Sequence, residues 1–218
     1  PLWSRGLGDV YKRQQDMSLA VFAGTISQRL RRHAPACLIR ANLGWPGDAH
    51  PLAHPLDYLG YDGGGGIGSG PGMAVGAALG LRGTPRLPVA VLGDGDFLMG
   101  ATALWTAVSY GIGLLVIVAN NRSFFNDEVH QEKVAQMRAR PVENKWIGQR
   151  IEGPEIDLAG MARAQGALGW GPVQTAQELA RALDEAIAAV KAGNVAVIDA
   201  RVAREYAKTM TKALGRGH

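Results

Sequence analysis

Two short polar clusters contain residue types that bind a divalent cation, and each cluster follows an apolar run. The first, Gly93-Asp94-Gly95-Asp96, comes directly after PVAVL, and the second, Asn120-Asn121, comes directly after LLVIVA. Carboxylate and amide oxygens suit Mg²⁺, whose shell is usually completed by substrate phosphates and water. Glycine beside the acidic residues allows a phosphate to approach the main chain closely. These residues therefore predict a site for a metal ion and a diphosphate.

A glycine-rich segment with the sequence DGGGGIG runs from Asp62 to Gly68 and precedes a helical pattern at residues 71–82. Glycine adopts positive φ angles without strain and lets a ligand come close to the backbone. A flexible linker is a poor interpretation, because the segment lies between two elements of one domain. We therefore interpret it as a second part of the ligand-binding region.

The apolar residues fall into short continuous runs that alternate with helical patterns. We predict strands at residues 36–40, 88–92, 114–119 and 195–200, and a short strand starting at 173–174. Helices are predicted over residues 18–33, 71–82, 97–110, 156–166 and 176–191. Strands that are apolar throughout and separated by helices indicate a parallel sheet covered on both faces. The predicted fold class is therefore α/β, doubly wound, with a mostly parallel sheet and helices on both faces.

This topology brings the two polar clusters together. Ligands of such sheets bind beyond the carboxyl ends of the strands, which is where Asp94 and Asn121 are expected. A helix that begins near Phe97 would direct its first N–H groups toward a phosphate bound there.

Composition and charge exclude several classes of protein. The chain has 218 residues, of which 47% are hydrophobic, and a net charge of +4, which does not fit a disordered chain. The single cysteine, Cys37, has no partner within the chain, so we expect a reducing, cytoplasmic environment. No apolar run approaches the roughly 18 residues of a membrane span. The basic residues are scattered with little aromatic interleaving, which argues against nucleic-acid binding.

We expect three regions along the chain. Residues 1–17 include PLWSRGLGDVYKRQ, which shows neither helical nor strand periodicity, and are expected to be a foreign or disordered tail. Residues 18–202 contain the predicted elements and form one domain. Residues 203–218 are expected to be a basic C-terminal tail.

The stretch from Gly93 to Asn121 resembles the thiamine diphosphate signature, which begins Gly-Asp-Gly and ends Asn-Asn after a spacer of this length. The resemblance implies that Asp94, the side chain of Asn121 and the backbone carbonyl of Ser123 ligate Mg²⁺. It also implies that Gly95 and Asp96 contact the cofactor diphosphate, with Gly93 beside them. Phe124 and Phe125 then either shape the pocket or pack into the core.

The glycine-rich segment resembles the one found in the decarboxylase and acetolactate synthase branch of the same family. That resemblance implies that the carbonyl of Gly65 accepts a hydrogen bond from the cofactor aminopyrimidine, with Gly66 next to it. Ile67 would be the apolar wedge that holds the cofactor bent, a position where the family more often has Leu or Met. No catalytic residue is certain: His130 is a candidate proton donor, but we favour an exposed helical histidine.

The resemblance implies a thiamine diphosphate-dependent lyase or transferase that decarboxylates, or ligates, small 2-oxo acids. In this chemistry the cofactor ring accepts electrons as CO₂ leaves. The family supplies an activating glutamate from a separate pyrimidine-binding domain, and nothing in this chain corresponds to that domain. We therefore expect the chain alone to be inactive, to require that domain from another chain or from a missing part of its own, and to form homo-oligomers.

Two alternatives stay open at the level of sequence. The chain could be a separate subunit of a two-chain decarboxylase of the sulfopyruvate type, with Met17 as its start. It could also be a non-catalytic module that binds a diphosphate and regulates a partner. A dinucleotide-binding oxidoreductase is disfavoured, because the first strand is not followed by G-x-G-x-x-G with an acidic residue about 20 positions on.

Overall fold

The computed structural model describes residues 16–33, 35–41, 44–60 and 66–205. In this part of the chain, the helices are α1 (Leu19–His33), α2 (Ser69–Gly80), α3 (Asp94–Gly100), α4 (Ala103–Ser109), α5 (Phe125–Met137), α6 (Leu158–Ala164) and α7 (Ala176–Lys191). The strands are β1 (Ala36–Ile39), β2 (Tyr58–Leu59), β3 (Leu87–Gly93), β4 (Leu114–Asn120), β5 (Leu168–Val173) and β6 (Val195–Arg201). None of these helices is long and apolar enough to cross a membrane.

The strands form one parallel sheet in the order β2-β1-β3-β4-β6-β5, with helices on both faces, which confirms the predicted doubly wound α/β fold. The register of β3 and β4 matters most for the site. Val89 lies opposite Leu115, and Gly93 lies opposite Ala119. The two strands therefore end level with one another, and the polar clusters that follow them leave the sheet at the same edge.

The core consists of two apolar layers, one on each face of the sheet. Side chains alternate between the faces of a strand, so Leu115 and Ile117 of β4 pack in the layer under α1 and α7. Val116 and Val118 pack in the layer under α2, α4 and α6. Every residue of β4 and β6 is buried, which explains why both strands are continuous apolar runs rather than alternating ones.

The helix predicted over residues 97–110 is two helices, α3 and α4, and the first begins at Asp94 rather than near Phe97. The end of α3 packs closely on the glycine-rich segment: a Cβ on Gly100 would lie 2.3 Å from the carbonyl oxygen of Gly68. Glycine is a weak helix former. The close contact with Gly68 therefore requires glycine at position 100, and the weak helix propensity of that glycine also favours the break between α3 and α4.

Strand β5 was predicted to start at residues 173–174, but Val173 is its last residue. The sequence of β5, LGWGPV, contains two glycines and a proline, which are depleted in strands. The strand lies at the edge of the sheet beside β6, where a proline is tolerated.

The folded body extends slightly beyond the predicted limits of 18 and 202. Met17 forms a parallel bridge with Val202, and the N–H of Ala203 donates to the carbonyl of Met17 at 2.8 Å. The carboxylate of Glu205 accepts a hydrogen bond from the N–H of Leu19 at 2.7 Å. These residues belong to the domain because they pair across its two ends. Residues 1–15 and 206–218 of the predicted tails lie outside the described residues.

Candidate functional site

A pocket opens at the carboxyl edge of the sheet, beyond β1, β3 and β4. Most of the residues predicted to bind the cofactor or the metal line it: Ile67, Gly93, Asp94, Gly95, Asp96, Asn121 and Ser123. Gly66 is described but does not line the pocket, and Gly65 lies outside the described residues. The fold therefore brings both polar clusters and the end of the glycine-rich segment into one cavity.

Asp94 is the first residue of α3 and is only 2% exposed. One carboxylate oxygen accepts from the N–H of Gly95 at 3.0 Å, and the other accepts from the N–H of Ser123 at 3.1 Å. Burial raises the pKa of the Asp94 carboxyl to about 6, although these backbone hydrogen bonds act in the opposite direction. The site thus contains a buried acid whose ionised form is destabilised.

The N–H of Ser123 connects the two side chains that the sequence predicts as metal ligands. It donates to Oδ2 of Asp94 at 3.1 Å and to Oδ1 of Asn121 at 2.9 Å. Because both oxygens accept from the same donor, a carboxylate oxygen and an amide oxygen from two different strand ends lie close together in the pocket.

The carbonyl of Ser123 points away from the segment at residues 149–151. The N–H of Phe124 donates to the carbonyl of Gln149 at 2.9 Å, and the N–H of Ile151 donates to the carbonyl of Arg122 at 2.9 Å. In a trans peptide the C=O is opposite the N–H, so the bond made by Phe124 directs the Ser123 carbonyl the other way. Ser123 and Arg150 form an antiparallel bridge, and in such a bridge the N–H and the C=O of one residue point to the same side of the strand. That side is where the N–H of Ser123 meets Asp94.

The turn between Asn121 and Ser123 depends on an unusual backbone conformation. Arg122 has a φ of 58°, in the left-handed region that residues other than glycine seldom adopt. Its N–H donates to Oδ1 of Asn120 at 3.1 Å, and the amide of Asn120 donates in turn to the buried Asp199 at 2.8 Å. The first asparagine of the pair therefore stabilises the turn, while the second faces the pocket.

Asp96 ties the glycine-rich segment to α3. One carboxylate oxygen accepts from the N–H groups of Gly68 at 2.7 Å and Gly70 at 3.2 Å. The other lies 3.3 Å from Nε of Arg40, and Nη1 of the same guanidinium donates to the hydroxyl of Ser69 at 2.5 Å. The carboxylate is thus engaged within the protein. A contact between Asp96 and a diphosphate is still a prediction, and it would have to be made by the backbone of Asp96.

The remaining candidates divide between the pocket and the surface. Ile67 is 49% exposed at the pocket wall, where an apolar wedge is predicted. Phe124 and Phe125 also line the pocket and are half-buried, so they shape it rather than fill the core. His130 lies on α5, is exposed and does not line the pocket. This position agrees with the favoured interpretation of an exposed helical histidine.

Two buried charged residues near the site were missed by the sequence analysis. Arg40 lines the pocket and is 6% exposed, and its position directly after an apolar parallel strand was a usable signal. Glu128 is 2% exposed in the first turn of α5. Nothing in the local sequence distinguishes it from a solvated acidic residue, because its partner, Arg150, lies 22 residues further along the chain.

The chemistry of this donor set fits a magnesium ion that also binds a diphosphate. Within the described residues there is no group of three His, Cys, Asp or Glu side chains that could enclose a metal. One carboxylate with neutral amide and carbonyl oxygens instead leaves positions for phosphate oxygens, as Mg²⁺ sites commonly do. A cation beside Asp94 would also offset the cost of burying its charge.

Comparisons with known proteins find one family model and several solved structures that resemble this chain. A family model described as "Thiamine pyrophosphate enzyme, C-terminal TPP binding domain" matches residues 43–200. A solved thiamine diphosphate-dependent 4-hydroxybenzoylformate decarboxylase from Rhodococcus jostii RHA1 is 26% identical, with a TM-score of 0.68 over 88% of this chain and 34% of that chain. Benzoylformate decarboxylase from Polynucleobacter necessarius is 23% identical, with a TM-score of 0.69 over 86% of this chain and 33% of that chain, and supports the fold.

The packing of Gly95 makes a first prediction. A Cβ on Gly95 would lie 2.2 Å from Cε1 of Phe124, so we expect Gly95→Ala to lower the free energy of unfolding by about 1–3 kcal/mol. Urea denaturation measures the change. Gly93→Ala is the matched control, because Gly93 has a φ of −75° and its Cβ would meet no atom within 4 Å. Equal losses of stability in the two variants would contradict the packing.

The raised pKa of Asp94 makes a second prediction, for the chain without divalent cations. The proton is held more tightly in the folded state, so the contribution of Asp94 to stability is complete below its unfolded pKa of 3.8 and is lost as the pH rises through about 6. Relative to Asp94→Asn, the wild-type chain should lose roughly 3 kcal/mol of unfolding free energy between pH 3.5 and pH 7.5. Urea denaturation across this range measures the difference, and a difference independent of pH would refute the assignment.

Proposed function

This chain belongs to the thiamine pyrophosphate enzyme family as its C-terminal TPP-binding domain, and we propose that it holds the diphosphate and Mg²⁺ for a 2-oxo acid decarboxylase. The observation that carries the proposal is the convergence of Asp94 and Asn121 on the N–H of Ser123. This arrangement gathers the oxygens of the cofactor signature at one edge of the sheet, where the fold places ligands.

The proposed metal ligands are the carboxylate of Asp94, the amide oxygen of Asn121 and the carbonyl of Ser123. Binding requires the ionised carboxylate, so metal affinity should fall as Asp94 becomes protonated below about pH 6. Phosphate oxygens of the cofactor would complete the shell. Gly93 leaves the backbone accessible to them, because a Cβ there would meet open space, whereas the ring of Phe124 packs against Gly95.

The other side of the proposed site consists of the glycine-rich segment and Ile67. Asp96 and Arg40 fix the end of this segment against α3, so that Ile67 is presented at the pocket wall. When bound, thiamine diphosphate supplies an electron sink for the carbanion left as CO₂ departs. The role of this chain is to bind and orient that group, which is a positioning contribution.

We propose that a pyrimidine-binding domain completes the site. The chain spans about a third of the length of the solved chains that it matches. Large apolar side chains are exposed on the adjacent helices α2, α3 and α4 and just after α4, namely Leu79, Met99, Trp105 and Tyr110. Large exposed apolar residues on neighbouring helices can mark association surfaces. They support a homo-oligomer or a complex in which another domain covers this face.

Decarboxylation of a 2-oxo acid is the favoured reaction class, because the relative that is 26% identical is described as a 4-hydroxybenzoylformate decarboxylase. Carboligation of the acetolactate synthase type has no separate support among the described residues. A cytoplasmic location is part of the proposal and rests on the lone, buried cysteine Cys37.

Calorimetric titration of the chain with thiamine diphosphate, with and without Mg²⁺, tests the proposal. We expect binding that depends on Mg²⁺ and that weakens at least tenfold in Asp94→Ala, because the only proposed charged metal ligand is removed. Asp48→Ala is the matched control: it removes the same charge from an exposed position that does not line the pocket. Circular dichroism checks that each variant is folded.

Binding that is indifferent to Mg²⁺, or unchanged in Asp94→Ala, would contradict the proposed ligand set. A folded wild-type chain that binds no cofactor at millimolar concentration would contradict the proposal that this domain holds the diphosphate by itself.

A further inference from the structure

We infer that Glu128 is a positioning residue for the metal centre: its carboxylate fixes Ser123, whose carbonyl is a proposed ligand. This inference rests on the proposed function and extends it to a residue that does not touch the cofactor signature. Its starting observation is that Glu128, although ionisable, is 2% exposed and lies directly behind the ligand-bearing turn.

The contacts of Glu128 join three segments of the chain. One carboxylate oxygen accepts from the hydroxyl of Ser123 and from Nε of Arg150, the latter at 2.5 Å. The other accepts from Nη2 of Arg150 at 3.1 Å. The Arg150 guanidinium thus forms a bidentate ion pair with the Glu128 carboxylate, which fixes the relative orientation of the two groups as well as their distance.

Arg150 is itself held in place from the side facing solvent. Its Nη1 donates to Glu152 at 3.2 Å, and Glu152 accepts from Arg204 at 2.6 Å. The backbone at residue 150 also pairs with Ser123 in the antiparallel bridge. Glu128 therefore links a side chain that is already fixed to the hydroxyl of the ligand residue.

Ser123 is consequently held in three ways. Its N–H meets Asp94 and Asn121, the peptide groups on either side of it pair with residues 149–151, and its hydroxyl meets Glu128. Mg²⁺ demands near-ideal octahedral geometry, so small rotations of this residue would misdirect the carbonyl. Residues that orient metal ligands typically change metal affinity by about 10- to 100-fold when replaced.

A second ion pair on the same helix provides a matched control. Glu132, also on α5, accepts from Nζ of Lys145 at 2.6 Å. This pair likewise connects α5 to the segment that precedes Arg150, but Glu132 contacts Lys145 rather than Ser123 and does not line the pocket. Glu132→Gln therefore removes a charge and an inter-segment contact without touching Ser123.

The test measures Mn²⁺ binding to the full chain by electron paramagnetic resonance, using the metal alone as the probe. We expect Glu128→Gln and Ser123→Ala each to weaken Mn²⁺ binding about tenfold, and the double variant to be no weaker than either single one. Glu132→Gln should stay within about twofold of wild type. Amide hydrogen exchange at residues 121–126 should accelerate in Glu128→Gln and not in Glu132→Gln. If Glu128→Gln fails to fold, Arg150→Lys keeps the charge while removing the bidentate geometry.

The outcomes separate this inference from the proposed function. If the wild-type chain does not bind Mn²⁺ even when thiamine diphosphate is added, the proposed metal centre fails, and the exchange rates still decide whether Glu128 fixes the turn. If wild type binds Mn²⁺ and Glu128→Gln binds it equally well, the inference is overturned while the metal centre stands. If the effects of Glu128→Gln and Ser123→Ala add, the two residues act independently and the inference is also overturned.

Discussion

Parallel pairing of β3 with β4 is the constraint on which the rest of the site depends. Because Gly93 lies opposite Ala119, the two strands end together, and Asp94 and Asn121 leave the sheet at the same edge. A shift by one residue would move every side chain of a strand to the other face of the sheet and would separate these oxygens. Such a shift would exchange the side chains that β4 packs into the two core layers, and misfitted side chains in a close-packed core are destabilising, so the core fixes the site.

The site contains buried acidic side chains, and the fold can accommodate them only because each makes hydrogen bonds or an ion pair within the protein. Burial disfavours the charge of Asp94, and backbone N–H groups compensate for only part of that cost, so its pKa is raised to about 6. Glu128 shows the opposite balance: burial raises its pKa, but hydrogen bonds from Arg150 and Ser123 outweigh it and lower the pKa below the ordinary value. Asp94, which faces the pocket, would thus be stabilised in its ionised form by a cation. The charge of Glu128, which lies behind the turn, is already stabilised by Arg150 and Ser123.

The sequence predicts the centre of this molecule better than its edges. Continuous apolar runs such as LLVIVA identify the central strands because these strands are buried on both faces. The edge strand β5 was misplaced, since Gly169, Gly171 and Pro172 obscure any strand pattern. Glu128 could not be assigned as buried from local sequence, because the Arg150 guanidinium that pairs with it lies 22 residues further along the chain. The position of Arg40 directly after an apolar strand was, in contrast, a usable signal that the sequence analysis missed. The cofactor signature predicted a set of residues, from Gly93 to Asp96 with Asn121 and Ser123, that the fold brings together at one pocket; their roles as ligands stay a prediction.

The proposed function requires that one cation binds the three oxygens gathered at the ends of β3 and β4. Crystals of the chain grown with thiamine diphosphate and Mn²⁺ would test it most directly through anomalous scattering. We expect a single manganese peak within bonding distance of the Asp94 carboxylate, the Asn121 amide oxygen and the Ser123 carbonyl, with cofactor phosphate oxygens completing its shell. A cofactor bound with manganese elsewhere, or with none at these three oxygens, would contradict it.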